Sequence, residues 1–255
     1  MNHDPPVIPL DRHCQVIAYE KSGIWAFEKA SGVLTHPNSN KRRPEKRKAR
    51  TLLNAPYLEE EEAYFWEDEK GDEKKIYLVH RLDSPTSGVI LGVSSKKLAA
   101  SIKESFANRK VSKTYHAIVI PSRKPFKNAQ WKDNLVEKRD QGKIRVTRGN
   151  GPIAITKAYM ERDKTGLYGL SLLKLDPQTG RTHQLRVQCA LRNFPIVGDR
   201  NYGNFSMNRK FARASKIDRL CLHASKVELD VQVDGKAIHF TAEAPLPRSF
   251  GKLLS

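Results

Sequence analysis

A short segment of the chain concentrates side chains that could do chemistry. Residues 80–89 read His-Arg-Leu-Asp-Ser-Pro-Thr-Ser-Gly-Val, which joins an imidazole, a guanidinium and a carboxylate to turn-forming residues. Apolar runs lie on both sides, Ile76 to Val79 and Val89 to Val93. The pattern predicts that Asp83 lies on a tight loop between two strands. Rigid scaffolds often present reactive groups on such loops, although Asp-Ser-Pro-Thr-Ser-Gly is also ordinary turn chemistry.

A second polar segment runs from Pro177 to Arg186. It follows a predicted strand, turns at Gly180 and opens a predicted helix that Thr182 could cap. Arg181 and Arg186 lie near the start of that helix, where backbone N–H groups favour anions. The segment therefore fits an anion site, and it also fits a capped surface helix that carries two arginines.

Tyr115 lies on a predicted strand from Lys113 to Ile120. An aromatic residue on a half-buried strand is commonly part of the core. At the floor of a site, its ring could instead stack on an extruded base, and its hydroxyl could exchange a proton.

Residues 207–219 carry basic side chains at helical spacing. A solvated surface explains such a run by default, but the charge of the chain favours contact with phosphates. The basic residues are Arg209, Lys210, Arg213, Lys216 and Arg219.

The overall charge of the chain indicates a polyanionic partner. The 255 residues contain 46 Lys and Arg against 28 Asp and Glu, for a formal charge of +18. Nucleic acid is the first expectation and an anionic membrane the second. No apolar run approaches the roughly 18 residues that span a bilayer, and the N-terminus does not resemble a signal peptide. The three cysteines show no paired metal-binding spacing, which favours a reducing, cytoplasmic location with buried thiols.

Strand signals outnumber helix signals along the chain. They predict one α+β domain over residues 1–255, with a mixed, mostly antiparallel sheet and flanking helices. Residues 122–142 are polar and predicted to be irregular. The other expected elements are a hairpin over 15–34, a helix after Ser94 or Ser95, strands over 113–120, 143–147, 153–160 and 168–175, and a hairpin that turns at Asp234-Gly235.

Residues 38–75 form a charged insert within this pattern. Lys41 to Arg50 holds seven basic residues and one acidic residue, and Glu59 to Glu73 holds nine acidic residues around three aromatic ones. Blocks of this kind are usually solvated or disordered. Two alternatives are that the basic block grips an RNA backbone, or that the acidic block covers a basic surface until substrate displaces it.

In several ordered motifs the chain resembles the RluA-type pseudouridine synthases. Together the motifs span roughly residues 15–250. They are His80-Arg81-Leu82-Asp83 with Thr86-Ser87-Gly88, Lys113-Thr114-Tyr115, Thr179-Gly180-Arg181-Thr182-His183-Gln184-Leu185-Arg186, Pro195-Ile196-Val197-Gly198-Asp199, Leu222-His223-Ala224 and Ala244-Pro245-Leu246-Pro247.

The resemblance implies a role for each candidate catalytic residue. Asp83 would be the aspartate that acts at the ribose of the target uridine, and Arg81 would hold or replace the flipped nucleotide. Tyr115 would stack on the base and take part in proton removal at C5. Arg186 would pair with Asp83 and keep it ionised, with Arg181 as the alternative partner. The candidate substrate-binding residues are His80, Arg81, Arg181, His183 and Gln184.

The same resemblance implies an enzyme that isomerises uridine in ribosomal or transfer RNA without metal or organic cofactor, and we expect it to be a monomer. The carboxylate would either attack C1′ or remove a C2′ proton, and the sequence does not choose between these routes. The chain departs from the family at Lys29-Ala30-Ser31-Gly32, where Lys-Pro-x-Gly is usual, and at Gln188, where histidine is common.

Three other functions were weighed against this one. A non-catalytic RNA-binding protein on the same scaffold would share the basic surface without needing Asp83. A metal-dependent nuclease could use His80, Asp83 and His183, but the sequence lacks a close-packed ligand motif. A membrane-surface protein lacks the expected basic helix with a broad apolar face.

Overall fold

The computed structural model describes residues 6–37, 49–122, 125–140, 143–233 and 235–255. The chain divides into two compact units. The first comprises Met1–Val111 and Lys226–Ala244, and the second Ser112–Ser225 and Pro245–Ser255. The single catalytic domain over 1–255 stays a prediction.

In the described residues, the first unit contains antiparallel strands and one helix. Strand β2 pairs with β1 and β6, β5 pairs with β4 and β6, and β4 also pairs with β3. The last strands of the unit form the predicted hairpin, with Val233 opposite Lys236; its turn residue Asp234 lies outside the described residues. The elements are β1 (Gln15–Glu20), β2 (Ile24–Lys29), β3 (Tyr57–Leu58), β4 (Ala63–Glu67), β5 (Glu73–Leu78), β6 (Ser87–Val93), α1 (Lys96–Ala107), the Lys226–Val233 part of β11 (Leu222–Val233) and β12 (Lys236–Glu243).

Helix α1 forms as its sequence predicts. Ser95 has extended backbone and its hydroxyl accepts a hydrogen bond from the Leu98 N–H, the usual way to satisfy a free amide at a helix start. Leu98 and Ile102 are buried, and Phe106 packs at the edge of the same cluster. The helix contacts β5 and β6, the two strands that enclose the Asp83 loop.

The described part of the second unit is a sheet with three helices. The strand order is β7-β10-β9-β8, and these pairs are antiparallel. Helix α2 contacts β8 and β9, and α4 contacts β10. The elements are β7 (Ser112–Val119), β8 (Ala129–Asp140), β9 (Lys143–Thr165), β10 (Leu170–Pro177), α2 (Gln184–Leu191), α3 (Phe205–Ser215) and α4 (Arg248–Leu254).

Two strand predictions in the second unit were wrong. Residues 129–140 form β8 instead of an irregular segment, and the two strands predicted over 143–160 are one continuous β9. The sequence of β8 does not show the strand pattern because Asp133, a buried charge, interrupts its apolar face between Trp131 and Leu135. Asn134 lies opposite Ile153 while Leu135 lies opposite Arg148, so the glycine-rich residues 149–152 form a bulge within the strand.

The acidic part of the insert is ordered. Strands β3, β4 and β5 lie within residues 57–78, and Tyr64 is completely buried, whereas carboxylates such as Glu60 and Glu67 are exposed. The disordered interpretation is therefore wrong for these strands, although the solvated one holds for their acidic side chains. Residues 41–48 of the basic block lie outside the described residues.

The α+β fold class with a mostly antiparallel sheet is confirmed. Cys189 and Cys221 are buried as expected, and Cys14 is only partly covered. Among the described residues, no helix is both long and apolar enough to cross a bilayer.

Candidate active site

Asp83 lies where the sequence predicts, on the loop between β5 and β6. Strand β5 ends at Leu78 and β6 begins at Ser87. The Asp83 carbonyl accepts a hydrogen bond from the Thr86 N–H at 2.9 Å, which closes a tight turn. Asp83 is half-buried, and Thr86 and Ser87 beside it are buried. The loop therefore presents a partly accessible carboxylate beside residues that are buried.

Residues 29–32 fix the end of this loop through its backbone. The ammonium of Lys29, which is completely buried, donates to the carbonyls of Val33 at 2.7 Å and Ser84 at 3.1 Å, and also to that of Ala30. A buried ammonium is tolerated only when its donors are satisfied. The Gly32 N–H also donates to the Ser84 carbonyl, at 2.8 Å.

The hydroxyl of Ser31 adds a bond from its side chain to the Pro85 carbonyl, at 2.7 Å. Sequence reasoning noted residues 29–32 only as a departure from a family motif, and it assigned them no role. The feature of the sequence that could have indicated this role is the lysine at the end of the apolar strand β2.

His80 and Arg81 lie on the same loop with different surroundings. The His80 Nε2 accepts the Leu91 N–H at 2.9 Å, and its ring packs 5.0 Å from that of Phe106. His80 thus joins the loop to β6 and α1. Arg81 is exposed, and its Nη1 lies 3.0 Å from the Nε2 of His36.

Tyr115 lies on β7 in the second unit, opposite Leu175 of β10. It is partly buried against the core cluster of that unit. The neighbouring Thr114 hydroxyl donates to Asp176 at 2.9 Å, which ties β7 to β10 by side chains as well. The placement on a half-buried strand agrees with the sequence prediction, and the role in stacking on a base stays a prediction.

The helix after the second motif begins later than predicted. Thr182 was expected to cap it, but the cap position belongs to His183, which has a left-handed backbone (φ 52°) and makes no side-chain capping bond. Gln184 satisfies the turn instead, because its Oε1 accepts from the Arg181 N–H at 3.1 Å and from the Thr179 hydroxyl at 2.7 Å. The tertiary contacts of Gln184 thus replace a local cap.

The amide of Gln184 is fully used within the protein. Its Nε2 donates to the Ile155 carbonyl at 3.0 Å and to the Thr156 hydroxyl at 2.9 Å, so all four of its hydrogen bonds are made. Thr156 in turn donates to Gln188 at 2.7 Å, and Gln188 donates to the buried carboxylate of Asp133 at 2.9 Å. A polar network therefore fastens α2 to β8 and β9.

Asp133 is the charged centre of this network. Burial alone would raise the pKa of its carboxyl, but hydrogen bonds from Arg148, Gln188 and Arg192 outweigh burial and hold the pKa below its ordinary value. The Arg192 guanidinium also lies 4.6 Å from the ring centroid of Trp131.

Arg186 forms a bidentate pair with Asp199 inside the second unit. Its Nε and Nη2 each lie 2.9 Å from an oxygen of that carboxylate, and both side chains are buried. Asp199 also accepts the N–H groups of Asn201 and Tyr202. Burial would raise the pKa of Asp199, but Arg186 and these two amides outweigh it, so the pKa lies below its ordinary value.

The sequence placed Asp199 in a family motif but predicted no role for it, so its pairing with Arg186 was not predicted. The predicted pair of Arg186 with Asp83 joins residues of different units and stays a prediction.

His183 and Arg181 flank the start of α2 differently. His183 Nδ1 lies 2.8 Å from the Tyr202 hydroxyl, which also accepts the Val146 N–H at 2.8 Å. Arg186 lies 5.2 Å from the centroid of the same Tyr202 ring. Arg181 is exposed, so its guanidinium is open to an anion.

The predicted site residues thus form two groups in the structure. His80, Arg81 and Asp83 share the β5–β6 loop, and the remaining candidates surround the start of α2 or lie on β7. Within the described residues, no group of three or more His, Cys, Asp and Glu side chains could hold a metal ion.

Gly198, next to Asp199, offers a test of how tightly this site is built. Its φ is +76°, and an added Cβ would lie 1.8 Å from the Arg219 carbonyl oxygen. We expect Gly198→Ala to lower the free energy of unfolding by more than about 3 kcal/mol. Gly180→Ala is the matched control, because no heavy atom lies within 4 Å of the position that its new methyl group would take; it should change stability by less than about 1 kcal/mol. Urea unfolding of both variants measures this, and equal effects would contradict it.

Comparison with known proteins identifies the family. The sequence profile described as RNA pseudouridylate synthase matches residues 23–191. A tRNA pseudouridine synthase C from Yersinia pestis is 32% identical over 239 residues, which cover 89% of this chain and 85% of that protein. A ribosomal large subunit pseudouridine synthase D from Borreliella burgdorferi is 33% identical over 231 residues, which cover 89% of this chain and 63% of that protein.

Solved structures agree at the level of the fold. Human RNA Pseudouridylate Synthase Domain Containing 1 superposes with a TM-score of 0.62 at 20% identity, covering 97% of this chain and 89% of that one. Human RNA Pseudouridylate Synthase Domain Containing 4 gives 0.60 at 22% identity, covering 93% and 92%. The matched profile covers more than half of the chain and includes Asp83, Tyr115 and Arg186. The chain belongs to the RNA pseudouridylate synthase family, and as a pseudouridine synthase of the RluA type it is an isomerase.

Proposed function

We propose that this enzyme converts specific uridines of structured ribosomal or transfer RNA into pseudouridine, with Asp83 as the group that acts on the ribose. The observation that carries the proposal is the Asp83 loop. A partly accessible carboxylate stands on a backbone fixed by Lys29, Ser31 and Gly32, in the motif on which the family resemblance rests. Catalysis depends on this kind of preorganised geometry.

The reaction breaks the N1–C1′ bond, rotates the uracil, and joins C5 to C1′. The C5 proton is then lost and N1 gains one, so the product has the mass of the substrate and no electron donor is needed. Asp83 would either form an ester at C1′ or remove the C2′ proton to give a glycal. Both routes need an ionised carboxylate near the sugar.

The other candidate residues take roles around this step. Arg186 would keep Asp83 charged against the negative potential of the RNA, and Tyr115 would stack on the detached base and help to remove the C5 proton. Arg81 would hold the place of the everted nucleotide, since reaching a base in folded RNA requires flipping. Arg181 and His183 would contact the substrate near α2.

His80 and Gln184 stay in the substrate-binding prediction, but their polar atoms already serve the protein. His80 Nε2 is bound to β6, and the Gln184 amide makes its four bonds internally. We therefore assign them to holding the two motifs in shape; His80 is partly exposed and can still contact RNA, whereas Gln184 is buried. A monomer in the cytoplasm that needs no cofactor completes the proposal.

The exposed face of α3 offers a basic surface for phosphates in the second unit. Arg209, Lys210 and Arg213 are exposed there, and none of the three forms an ion pair within the described residues. Asn208 on the same helix bonds to the backbone of Gly198 and Asp199, which ties α3 to the loop that holds Arg186.

RNA binding should weaken steeply with salt, and α3 should carry part of that dependence. Each phosphate contact adds roughly 0.7–0.9 to the log–log slope of affinity against salt. We expect Arg209→Gln/Arg213→Gln to lower the slope by about 1.5, as measured by filter binding across a salt series. Arg248→Gln/Lys252→Gln on α4 removes the same charge from another exposed helix of this unit and should leave the slope nearly unchanged. An equal fall of the slope in both double variants would mean that the salt dependence follows the net charge of the protein and not the position of the removed charges.

The decisive experiment maps pseudouridines in RNA from cells with and without the gene. Uridine isomerisation is silent in mass, so chemical labelling at single-nucleotide resolution is required. Loss of one or a few sites, restored by the wild-type protein, supports the proposal and names the substrate. An unchanged map, together with tight RNA binding, would favour the non-catalytic RNA-binding alternative.

A further inference from the structure

We propose that strands β3 and β4 of the charged insert are a positioning element for the Asp83 loop, acting through two short chains of side chains. Tyr57 acts on Arg81 through His36, and Tyr64 acts on Leu82 through Thr35. This inference rests on the proposed function, because it assigns the insert a role in placing the carboxylate that does the chemistry.

The first chain of contacts runs through Thr35. The Tyr64 hydroxyl donates to the Thr35 carbonyl at 2.8 Å. The Thr35 hydroxyl in turn donates to the Leu82 carbonyl at 3.0 Å and accepts the Leu82 N–H at 3.2 Å. All three residues are buried, with Tyr64 at 0% exposure. One hydroxyl therefore holds both backbone groups of the residue immediately before Asp83.

The second chain runs through His36. Tyr57 lies opposite Tyr64 in the β3–β4 ladder, with ring centroids 4.9 Å apart. The His36 ring packs 5.3 Å from that of Tyr57, and its Nε2 lies 3.0 Å from Arg81 Nη1. Because a guanidinium only donates, Nε2 must be the acceptor, and the proton of the neutral ring belongs on Nδ1.

The protonation state of His36 suits this contact. Burial and the nearby charge of Arg81 lower its pKa, while Glu59 and Glu62 oppose the shift less strongly; the Tyr57 ring is the other group against it. The imidazole is therefore neutral at neutral pH. Its Nδ1 is buried and has no hydrogen-bond partner within the described part of the chain. An orphaned donor costs stability, so the ring is held by its other contacts, the Tyr57 ring on one side and the Arg81 guanidinium at Nε2.

The two chains converge on consecutive residues, Arg81 and Leu82, and Asp83 follows directly. None of the hydrogen bonds or ring contacts that make up the two chains involves a carboxylate of the insert. The insert thus acts through its buried aromatic side, which departs from both charge-based roles considered for it. A displacement of the reacting carboxylate by about 1 Å can cost about a hundredfold in rate. Loss of this positioning element should therefore lower kcat more than RNA affinity.

The test compares variants that remove single polar contacts with a control that removes charge. We expect Tyr64→Phe and Thr35→Val each to lower kcat about tenfold, with KM and the RNA dissociation constant changed less than about twofold. Thr35→Ser keeps the hydroxyl and should restore kcat to within about threefold of wild type. His36→Leu should also lower kcat, whereas His36→Gln, whose amide oxygen can accept from Arg81, should recover most of it.

The control is Glu60→Gln/Glu67→Gln/Glu69→Gln, which neutralises exposed carboxylates of the insert and should leave kcat unchanged. Combining Tyr64→Phe with Thr35→Val should cost little more than Thr35→Val alone, because both act through one chain of contacts. Circular dichroism melts confirm that each variant is folded at the assay temperature.

Wild-type kcat in Tyr64→Phe and Thr35→Val would overturn the inference, as would a loss confined to KM. A loss of kcat in the glutamine control equal to that of Tyr64→Phe would also overturn it, since the insert would then act through charge. In each of these results the wild-type enzyme remains active and Asp83→Asn inactive, so the inference would fail while the proposed function would still hold. If wild type itself forms no pseudouridine, the proposed function fails first.

Discussion

Asp83→Asn is expected to abolish pseudouridine formation while leaving the fold and RNA binding intact. The change replaces one oxygen of the carboxylate by an NH₂ group of the same size, so the turn closed by the Asp83 carbonyl and the Thr86 N–H is kept. Neither route at the sugar survives, because an amide is a poor nucleophile and a poor base at neutral pH. Turnover should fall by at least about a thousandfold, as for removal of other nucleophiles.

The measurement is single-turnover formation of pseudouridine in an RNA transcript that carries the mapped site. Asp230→Asn is the matched control, because its side chain is 85% exposed on β11 in the same unit and loses the same charge. That control should react at the wild-type rate. Retained pseudouridine formation in Asp83→Asn would end the assignment of Asp83.

Removing Arg186 is expected to damage both stability and turnover, and the two losses can be separated. Arg186→Met leaves Asp199 as an unpaired buried carboxylate, which should cost about 3–5 kcal/mol of unfolding free energy. Arg186→Met/Asp199→Asn removes both charges, and the asparagine oxygen can still accept the N–H groups of Asn201 and Tyr202. The double variant should therefore regain much of the lost stability.

Turnover should stay low in both variants, because Arg186 is proposed to keep Asp83 ionised. RNA affinity should change far less than kcat, measured by binding and single-turnover assays on the same preparations. A double variant with wild-type turnover would show that Arg186 serves only the fold. A parallel fall of affinity and turnover would make Arg186 a phosphate contact.

The Arg186–Asp199 pair also has a signature in the pH dependence of stability. The pKa of Asp199 in the folded protein lies below its ordinary value of 3.8. A lowered carboxyl pKa contributes stability that is fully present above the ordinary value and is lost as the pH falls through the folded value. The stability difference between wild type and Arg186→Met/Asp199→Asn should therefore shrink below about pH 4, and a constant difference would contradict the pairing.

Local patterns predicted the elements whose signals are complete within a few residues. The β1–β2 hairpin, helix α1 with its Ser95 cap and the β11–β12 hairpin all formed as expected. Strand β8 was missed, since a buried Asp133 reads as a surface residue until its partners are known. Those partners, Arg148, Gln188 and Arg192, are distant in sequence from Asp133 and satisfy its charge only after folding.

The charged insert also shows that local sequence patterns miss structure that depends on distant contacts. Nine acidic residues between 59 and 73 outweigh three aromatic ones in any count of composition, so the segment is predicted to be solvated. The aromatic residues decide the outcome, because Tyr64 can bury its ring and still place its hydroxyl on the Thr35 carbonyl.

The sequence by itself determined the fold class, the reaction type and the position of Asp83 on a turn between two strands. Residue types and short spacings are sufficient for the fold class and the turn, since turn chemistry and strand alternation are local, whereas the reaction type followed from the resemblance of several ordered motifs to a known family. Only the tertiary structure decided which partners hold the site residues: Asp199 on Arg186, Gln184 on its own turn, and Thr35 and Lys29 on the Asp83 loop. Such hydrogen bonds join buried polar groups that are far apart along the chain, and the need to satisfy each of them becomes visible only once packing has removed the water.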